Sequence, residues 1–182
     1  MPFYQIHHSC PLTQGQRQAL AQSITDLHCA AFTTPSFFVH VKFLPQDAGD
    51  GTSFLAGKPT TLTSNRITGI LRICPAREKA DFDALSAKIE DAWYEVVNGG
   101  TESVEQRRAR HEMNPKRLLM VTLTPMMCIR EGGMVLPEAG QEMGWLKDQL
   151  PYIREMSQRG QGDFTDILQE IEERPDLQRL VA

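Results

Sequence analysis

The sequence predicts an α/β protein (α+β in some schemes). Two tandem β-α-β units form one four-stranded sheet, with both helices on one face and a helical extension at the C-terminal end. Three observations predict it. A strand, a helix and a strand follow one another over about residues 2–44, and the same order recurs over about 65–124 after a loop rich in Gly, Pro and Thr. Each helical stretch is about five turns long, enough for the crossover that parallel strands require. The expected domain spans 1–144 and the extension 145–182.

Residues 2–8 alternate, with Phe3, Gln5 and His7 on one face and Pro2, Tyr4, Ile6 and His8 on the other. The segment "PLTQGQRQALAQSITDLHCAAF" then offers Thr13 with Gln16 three residues on, the pattern of a capping box. Leu20, Ile24, Leu27 and Ala31 follow as a helical stripe. After Pro35, "SFFVHVKFL" reads as a strand with Phe37, Val39, Val41 and Phe43 on a wholly apolar side. A loop from Pro45 to Ser64 precedes the strand "NRITGILRI". The helix "ADFDALSAKIEDAWYEVV" carries Phe82, Leu85, Ile89, Trp93 and Val97, and "RLLMVTLTP" is a last strand closed by Pro125.

The tail gives two helical segments. Trp145, Leu146, Leu150, Ile153 and Met156 stripe the first. Beyond Gly160 and Gly162, Asp163 is expected to cap the second, whose Phe164, Ile167, Leu168 and Ile171 end at Pro175. These read as packing or subunit-contact elements. No third layer precedes Trp145, so the sheet face opposite the helices is expected to be apolar and to be covered by oligomerisation.

The 182 residues are 41% hydrophobic and 23% charged, with a net charge of −4, as in a soluble globular protein. That charge gives no reason to expect nucleic acid or an anionic membrane as partner. The basic run "QRRARH" at Gln106–His111 reads as a solvated loop. No run approaches the roughly 18 apolar residues of a membrane span, and the N-terminus lacks a signal-peptide core, so a cytoplasmic location is expected. Cys10, Cys29, Cys74 and Cys128 are scattered, which argues against a zinc site or a disulfide framework and suggests buried small hydrophobes. His7 and His8 are adjacent on a strand and point apart, so they cannot chelate one metal. No Gly-rich phosphate loop appears.

The chain opens "MPFYQIHH". Trimming of Met1 before the small Pro2 leaves a secondary amine, a base whose reference pKa is about 7.7–8.0. Together with that proline, the stretches "LTQGQRQALAQSITDLH", "GILRICPAREKADF" and "EGGMVLPEAGQEMGWL" resemble the tautomerase superfamily. The resemblance is greatest to the branch of cis-3-chloroacrylic acid dehalogenase, and it covers roughly Pro2 to Trp145.

The resemblance implies Pro2 as catalytic base or acid, and it matches His28 to the histidine at the end of the first helix. Arg72 is implied as the first of two arginines holding a substrate carboxylate. Arg77 is implied as the second, with two extra residues between them. Glu131 matches the acidic residue after the last strand. A homotrimer is also implied. One departure stands out: Met120 occupies the place of the dehalogenases' last-strand tyrosine, and Met makes no useful hydrogen bond. Proton shuffling is therefore expected before dehalogenation.

The chemistry holds together without the family. Paired guanidiniums bind a carboxylate in bidentate fashion. Cationic neighbours and desolvation both lower an amine's pKa. An amine poised near neutrality can take a proton α to a carbonyl and return it to another carbon, while the arginines stabilise a developing enolate. No metal or organic cofactor is called for. Residue by residue, duller readings stay open: His28 as a helix-end histidine, Arg72 and Arg77 as surface ion-pair residues, Glu131 as an ordinary loop acid.

Three functions compete. The first is a cofactor-independent tautomerase acting on a small keto/enol or unsaturated carboxylic acid. The second is a hydratase or dehalogenase of 3-haloacrylate-type acids using Glu131 and the arginines. The third is a binding or signalling protein that keeps the fold with weak catalysis.

Overall fold

In the computed structural model, the described residues are 2–47, 50–59, 65–100, 103, 105–106 and 114–181. The basic run after Gln106 lies outside them. Strand β1 (Phe3–His8) leads to helix α1 (Gln14–Phe32), a 3-10 turn (Ser36–Phe38) and β2 (His40–Pro45). A small hairpin, β3 (Phe54–Leu55) and β4 (Lys58–Pro59), interrupts the long loop. The second unit is β5 (Asn65–Leu71), α2 (Lys79–Asn98) and β6 (Leu118–Pro125). A two-stranded hairpin, β7 (Arg130–Glu131) and β8 (Met134–Val135), precedes helices α3 (Glu142–Gln158), α4 (Gly162–Glu173) and α5 (Pro175–Val181).

The main sheet has the order β2-β1-β5-β6. Within each unit the strands are parallel, and the two units join antiparallel through β1 and β5. Tyr4 and Ile6 of β1, Ile67 and Leu71 of β5, Leu20 and Ile24 of α1, and Leu85, Ile89 and Trp93 of α2 form one core, so both helices cover the same face. Asn65 pins the far end of the sheet with all four of its hydrogen-bonding positions. Its Oδ1 accepts from the backbone N–H groups of Ser9 and Cys10, and its Nδ2 donates to the carbonyls of Pro115 and Arg117.

The expected capping box closes α1: Gln16 N–H donates to Thr13 Oγ1 at 3.1 Å, and Thr13 N–H donates to Gln16 Oε1 at 3.0 Å. The buried stripe differs from expectation. It runs Leu20, Ile24, His28, Phe32, four residues apart each time, while Leu27 is only partly buried and Ala31 is exposed. The drift carries a polar side chain, His28, into the interior.

Four further corrections concern the remaining elements. Ser36–Phe38 is a 3-10 turn and β2 starts only at His40, because Glu170 of α4 accepts the backbone N–H groups of Ser36 and Phe37 and draws the chain out of the extended path. Asp163 does not cap α4; it lies in the first turn, where its charge complements the helix dipole. The second tail helix ends at Glu173, ahead of Pro175 as expected, but Pro175 also opens a third helix that was not foreseen, since a first-turn proline gives up no hydrogen bond. The sheet face away from the helices is mixed, not apolar: Phe3 and Ile70 alternate with Gln5, His7, Arg66 and Thr68, and Met120 with Thr122. Of the cysteines, Cys10 is buried, Cys29 and Cys74 half-buried and Cys128 exposed. Among the described residues, no helix is long and apolar enough to cross a membrane.

Candidate active site

One end of the sheet gathers most of the implicated residues. Pro2 is buried at the start of β1, and its carbonyl accepts the backbone N–H of His40 at 3.0 Å, where parallel β2 begins. Antiparallel β5 ends beside it: Ile70 pairs with Phe3, so one step further brings Leu71 opposite Pro2, and Arg72 follows. The ladder between β5 and β6 runs on to the same end, where Met126 N–H donates to Leu71 C=O.

His28 reaches this end from α1. Its Nδ1 lies 2.8 Å from the Tyr4 hydroxyl, and its ring meets Phe32 edge-on. Burial, helped by Arg77, the terminal ammonium and Arg72, lowers the His28 pKa to about 3. The imidazole is therefore neutral at physiological pH. Burial also pushes the Tyr4 phenol well above its ordinary value, so its proton stays on and Tyr4 is the donor to Nδ1. That assigns the remaining proton to His28 Nε2 and makes the residue a hydrogen-bond donor.

The two arginines meet at the end of β5 and differ in their surroundings. Arg72 is 8% exposed; its Nη1 donates to Pro137 C=O and its Nη2 to Glu142 Oε1, both at 2.7 Å. Arg77 lies with its guanidinium carbon 4.4 Å from the centre of the Phe32 ring, and it donates to the carbonyls of Arg72 at 3.0 Å and Phe32 at 3.4 Å. Among the described residues no carboxylate forms an ion pair with Arg77. Beside Arg72 opens a cleft of about 580 Å³ with Ile73, Cys74, Met126, Cys128 and Leu136 in its walls.

Glu131 stands on the β7–β8 hairpin, not on an open loop. Gly132 and Gly133 form its turn with φ of 54° and 83°. A Cβ at Gly132 would come within 2.9 Å of Phe164, and one at Gly133 within 2.7 Å of the Tyr152 hydroxyl, so both positions require glycine. The hairpin aims the Glu131 carboxylate at His40, with Oε1 2.9 Å from Nε2. The hydrogen bond to Glu131 raises the His40 pKa, with the nearby charge of Asp163 adding to it; burial and the terminal ammonium oppose the shift.

Sequence reasoning missed His40 and Glu142. The parallel pairing of β1 with β2 was the available signal for His40, because it sets the first residue of β2 beside the first of β1. Nothing in the spacing pointed to Glu142. Met120 does not join the group. It pairs across β5 with Arg66, itself paired with His7, so it is five residues along the sheet from Pro2, roughly 16 Å within one subunit. Among the described residues, no cluster of three His, Cys, Asp or Glu side chains could hold a metal ion.

The family model Tautomerase_3, described as "Putative oxalocrotonate tautomerase enzyme", matches residues 1–149. The chain belongs to the tautomerase superfamily. Solved structures agree on the fold of this superfamily member. N1, a member of the cis-3-chloroacrylic acid dehalogenase family, is 22% identical with a TM-score of 0.57, over 90% of this chain and 98% of that one. Native Ps01740 is 25% identical with a TM-score of 0.51, over 68% of this chain and 93% of that one. The Q0 fused 4-OT wild-type symmetric trimer is 15% identical with a TM-score of 0.53, over 76% and 99%. No curated protein matches this superfamily member in sequence.

Proposed function

We propose that the protein is a cofactor-independent isomerase of the tautomerase type, using Pro2, freed by removal of Met1, to move a proton on a small keto/enol or unsaturated carboxylic acid. The observation that carries this reading is the convergence, at one sheet end, of the start of the chain with a neutral histidine donor, two arginines and a carboxylate. In this reading Pro2 accepts the proton and His28 Nε2–H donates a hydrogen bond to substrate oxygen. Arg77 and Arg72 take the carboxylate, and Arg77 has the freer guanidinium. The cationic pair disfavours the protonated amine and keeps Pro2 basic but unprotonated near neutrality. Arg77, in the turn that leads into α2, also stabilises charge that develops on an enolate.

The working unit is proposed to be a homotrimer, with the mixed outer face of the sheet as the surface between subunits; the trimeric assembly of a fused 4-OT relative supports this. Four unpaired cysteines suit the reducing cytoplasm. Water addition is the less favoured chemistry: within one subunit Met120 lies far along the sheet from Pro2, and from a neighbouring subunit of the proposed trimer it would bring no hydroxyl to orient a nucleophile.

Ketonisation of the enols of phenylpyruvate and 2-hydroxymuconate, followed by ultraviolet absorbance, tests the reading. A 3-halopropiolate is expected to label Pro2 once per subunit and to stop turnover, as read by intact mass. Pro2→Ala keeps an amine and is expected to retain partial activity. A residue inserted before Pro2 makes its nitrogen an amide and is expected to abolish activity. Full activity in that extended protein would remove Pro2 from the mechanism. A labelled, correctly trimmed protein with no turnover of any enol would favour a binding role.

A further inference from the structure

The segment that carries His40 is held from both sides. Its backbone N–H is bonded to Pro2 C=O, and its ring Nε2 is bonded to Glu131 Oε1 at 2.9 Å. The side chain is 47% exposed, and among the described residues its other ring nitrogen, Nδ1, has no hydrogen-bond partner. The tail fixes both partners. Glu170 accepts from Ser36 and Phe37 just before β2, Trp145 Nε1 donates to Val135 C=O, and Tyr152 donates to Gly132 C=O in the Glu131 hairpin. Such a histidine–carboxylate pair orients an imidazole and favours its charged form.

We propose that His40 is a catalytic residue of this site, the general acid that complements Pro2, with Glu131 as the group that positions and charges it. The inference rests on the proton-transfer reading given above. In ketonisation, the Pro2 nitrogen takes the proton of the enol O–H as the C=O forms. The C=C electron pair takes the proton of His40 Nδ1–H to make the new C–H bond. Pro2 then holds one proton more and His40 one fewer, and exchange with water restores both. No oxidant or cofactor enters the balance.

The environments of the two groups point to the same division of labour. Arginines bias the amine toward its neutral form, and Glu131 biases the imidazole toward its cation; groups whose pKa values are pushed apart divide as base and acid. The charged side chains acting on His40 are Glu131 of the hairpin and Asp163 in the first turn of α4; the terminal amine opposes them only when it carries a proton. Glu131 hereby changes role. It holds the acid and does not need to activate water.

The test compares wild type, His40→Asn, Glu131→Gln and the double variant on the enol of phenylpyruvate, with kcat/KM measured from pH 5 to 9. His40→Asn keeps the backbone bond to Pro2 and so separates acid catalysis from strand anchoring. Its kcat is expected to fall about 100-fold or more with KM little changed, and the basic limb of the pH profile to vanish. Glu131→Gln is expected to move that limb toward the ordinary imidazole value near 6.5, and the double variant to be no slower than His40→Asn. Long-range ¹⁵N–¹H spectra read the same pKa without turnover, and they are expected to show the His40 titration fall in Glu131→Gln. A His40→Asn enzyme within twofold of wild type, or with an unchanged basic limb, overturns the role of His40 while the Pro2 reading stands. A wild-type protein inert toward every enol overturns both.

Discussion

Arg72 and Glu142 form an ion pair that is almost withdrawn from solvent, with Nη2 2.7 Å from Oε1 and the side chains 8% and 15% exposed. Helix α3 thus puts a carboxylate of the chain itself on the arginine that the family resemblance implies for the carboxylate of a substrate. Removing one member of such a pair leaves the other charged and desolvated, which costs roughly 3 kcal/mol. Arg72→Ala is therefore expected to lose about that much stability and to raise KM for a carboxylate substrate. Arg72→Ala/Glu142→Ala is expected to regain most of the stability and none of the affinity. Denaturant melts and steady-state kinetics on the same samples separate the two effects; equal recovery of both would mean that Arg72 serves only the fold.

Arg77 presents the contrasting case. Its guanidinium rests on Phe32 and two carbonyls, without a carboxylate partner among the described residues. Arg77→Ala is expected to raise KM at least tenfold with a smaller loss in kcat, since ground-state anchoring appears mainly in KM. Stability should fall by only about 1 kcal/mol. An unchanged KM would take Arg77 out of the binding site.

Gly69 sets the position of His28 at one remove. It pairs with Tyr4 across the sheet, and a Cβ there would lie 2.8 Å from both the Tyr4 ring and Leu123. Gly69→Ala must push the Tyr4 ring and with it the hydroxyl that holds His28 Nδ1. We expect a loss of about 2 kcal/mol, seen as a drop in Tm of roughly 4–8 °C, together with reduced kcat. Tyr4→Phe is expected to reduce kcat with a smaller fall in Tm. Retention of full activity in both would break the link between Tyr4 and the chemistry.

The depressed pKa of His28 makes a prediction about acid. Unfolded, this histidine takes up a proton near pH 6.5; folded, it resists until about pH 3. Between those values the unfolded state binds more protons, so stability falls as pH drops through the window. At pH 4.5 the penalty from this one residue is on the order of 2 kcal/mol. The loss of stability between pH 7 and pH 4.5 should accordingly be smaller in His28→Gln than in wild type. Parallel curves for the two proteins would show that His28 takes up its proton over the same pH range folded and unfolded.

The sheet and its two helices were legible because period-two and helical apolar patterns report burial directly. Leu20, Ile24, Leu85, Ile89 and Trp93 are core residues for the reason that their spacing suggested. The site was only half legible. His28 was expected at the helix end, yet its burial follows from a stripe that steps by four and leaves Leu27 aside. His40 shares the polar side of its strand with Lys42, and alternation alone gave it no distinction. Its meaning comes from a parallel pairing and a hairpin formed far away in the chain. Glu142 was hidden for the same physical reason, because an ion pair across 70 residues leaves no local trace in composition. The need for glycine at Gly132 and Gly133 was not legible, because it arises from Phe164 and Tyr152, which only folding brings beneath them.

The Glu131 hairpin belongs, in packing terms, to the tail. Met134 is buried with Leu146, Ile153, Phe164, Ile171 and Leu177, apart from the core beneath the sheet. Cooperative opening follows shared burial. In hydrogen–deuterium exchange the amides of the hairpin should thus exchange together with those of α3, α4 and α5, and independently of β1 and β5. An opening of that unit releases Glu131 and Glu142 at once while leaving Pro2 and His28 in place. Proteolysis or crowding at the C-terminal end could then change the chemistry of the site while the sheet stays folded.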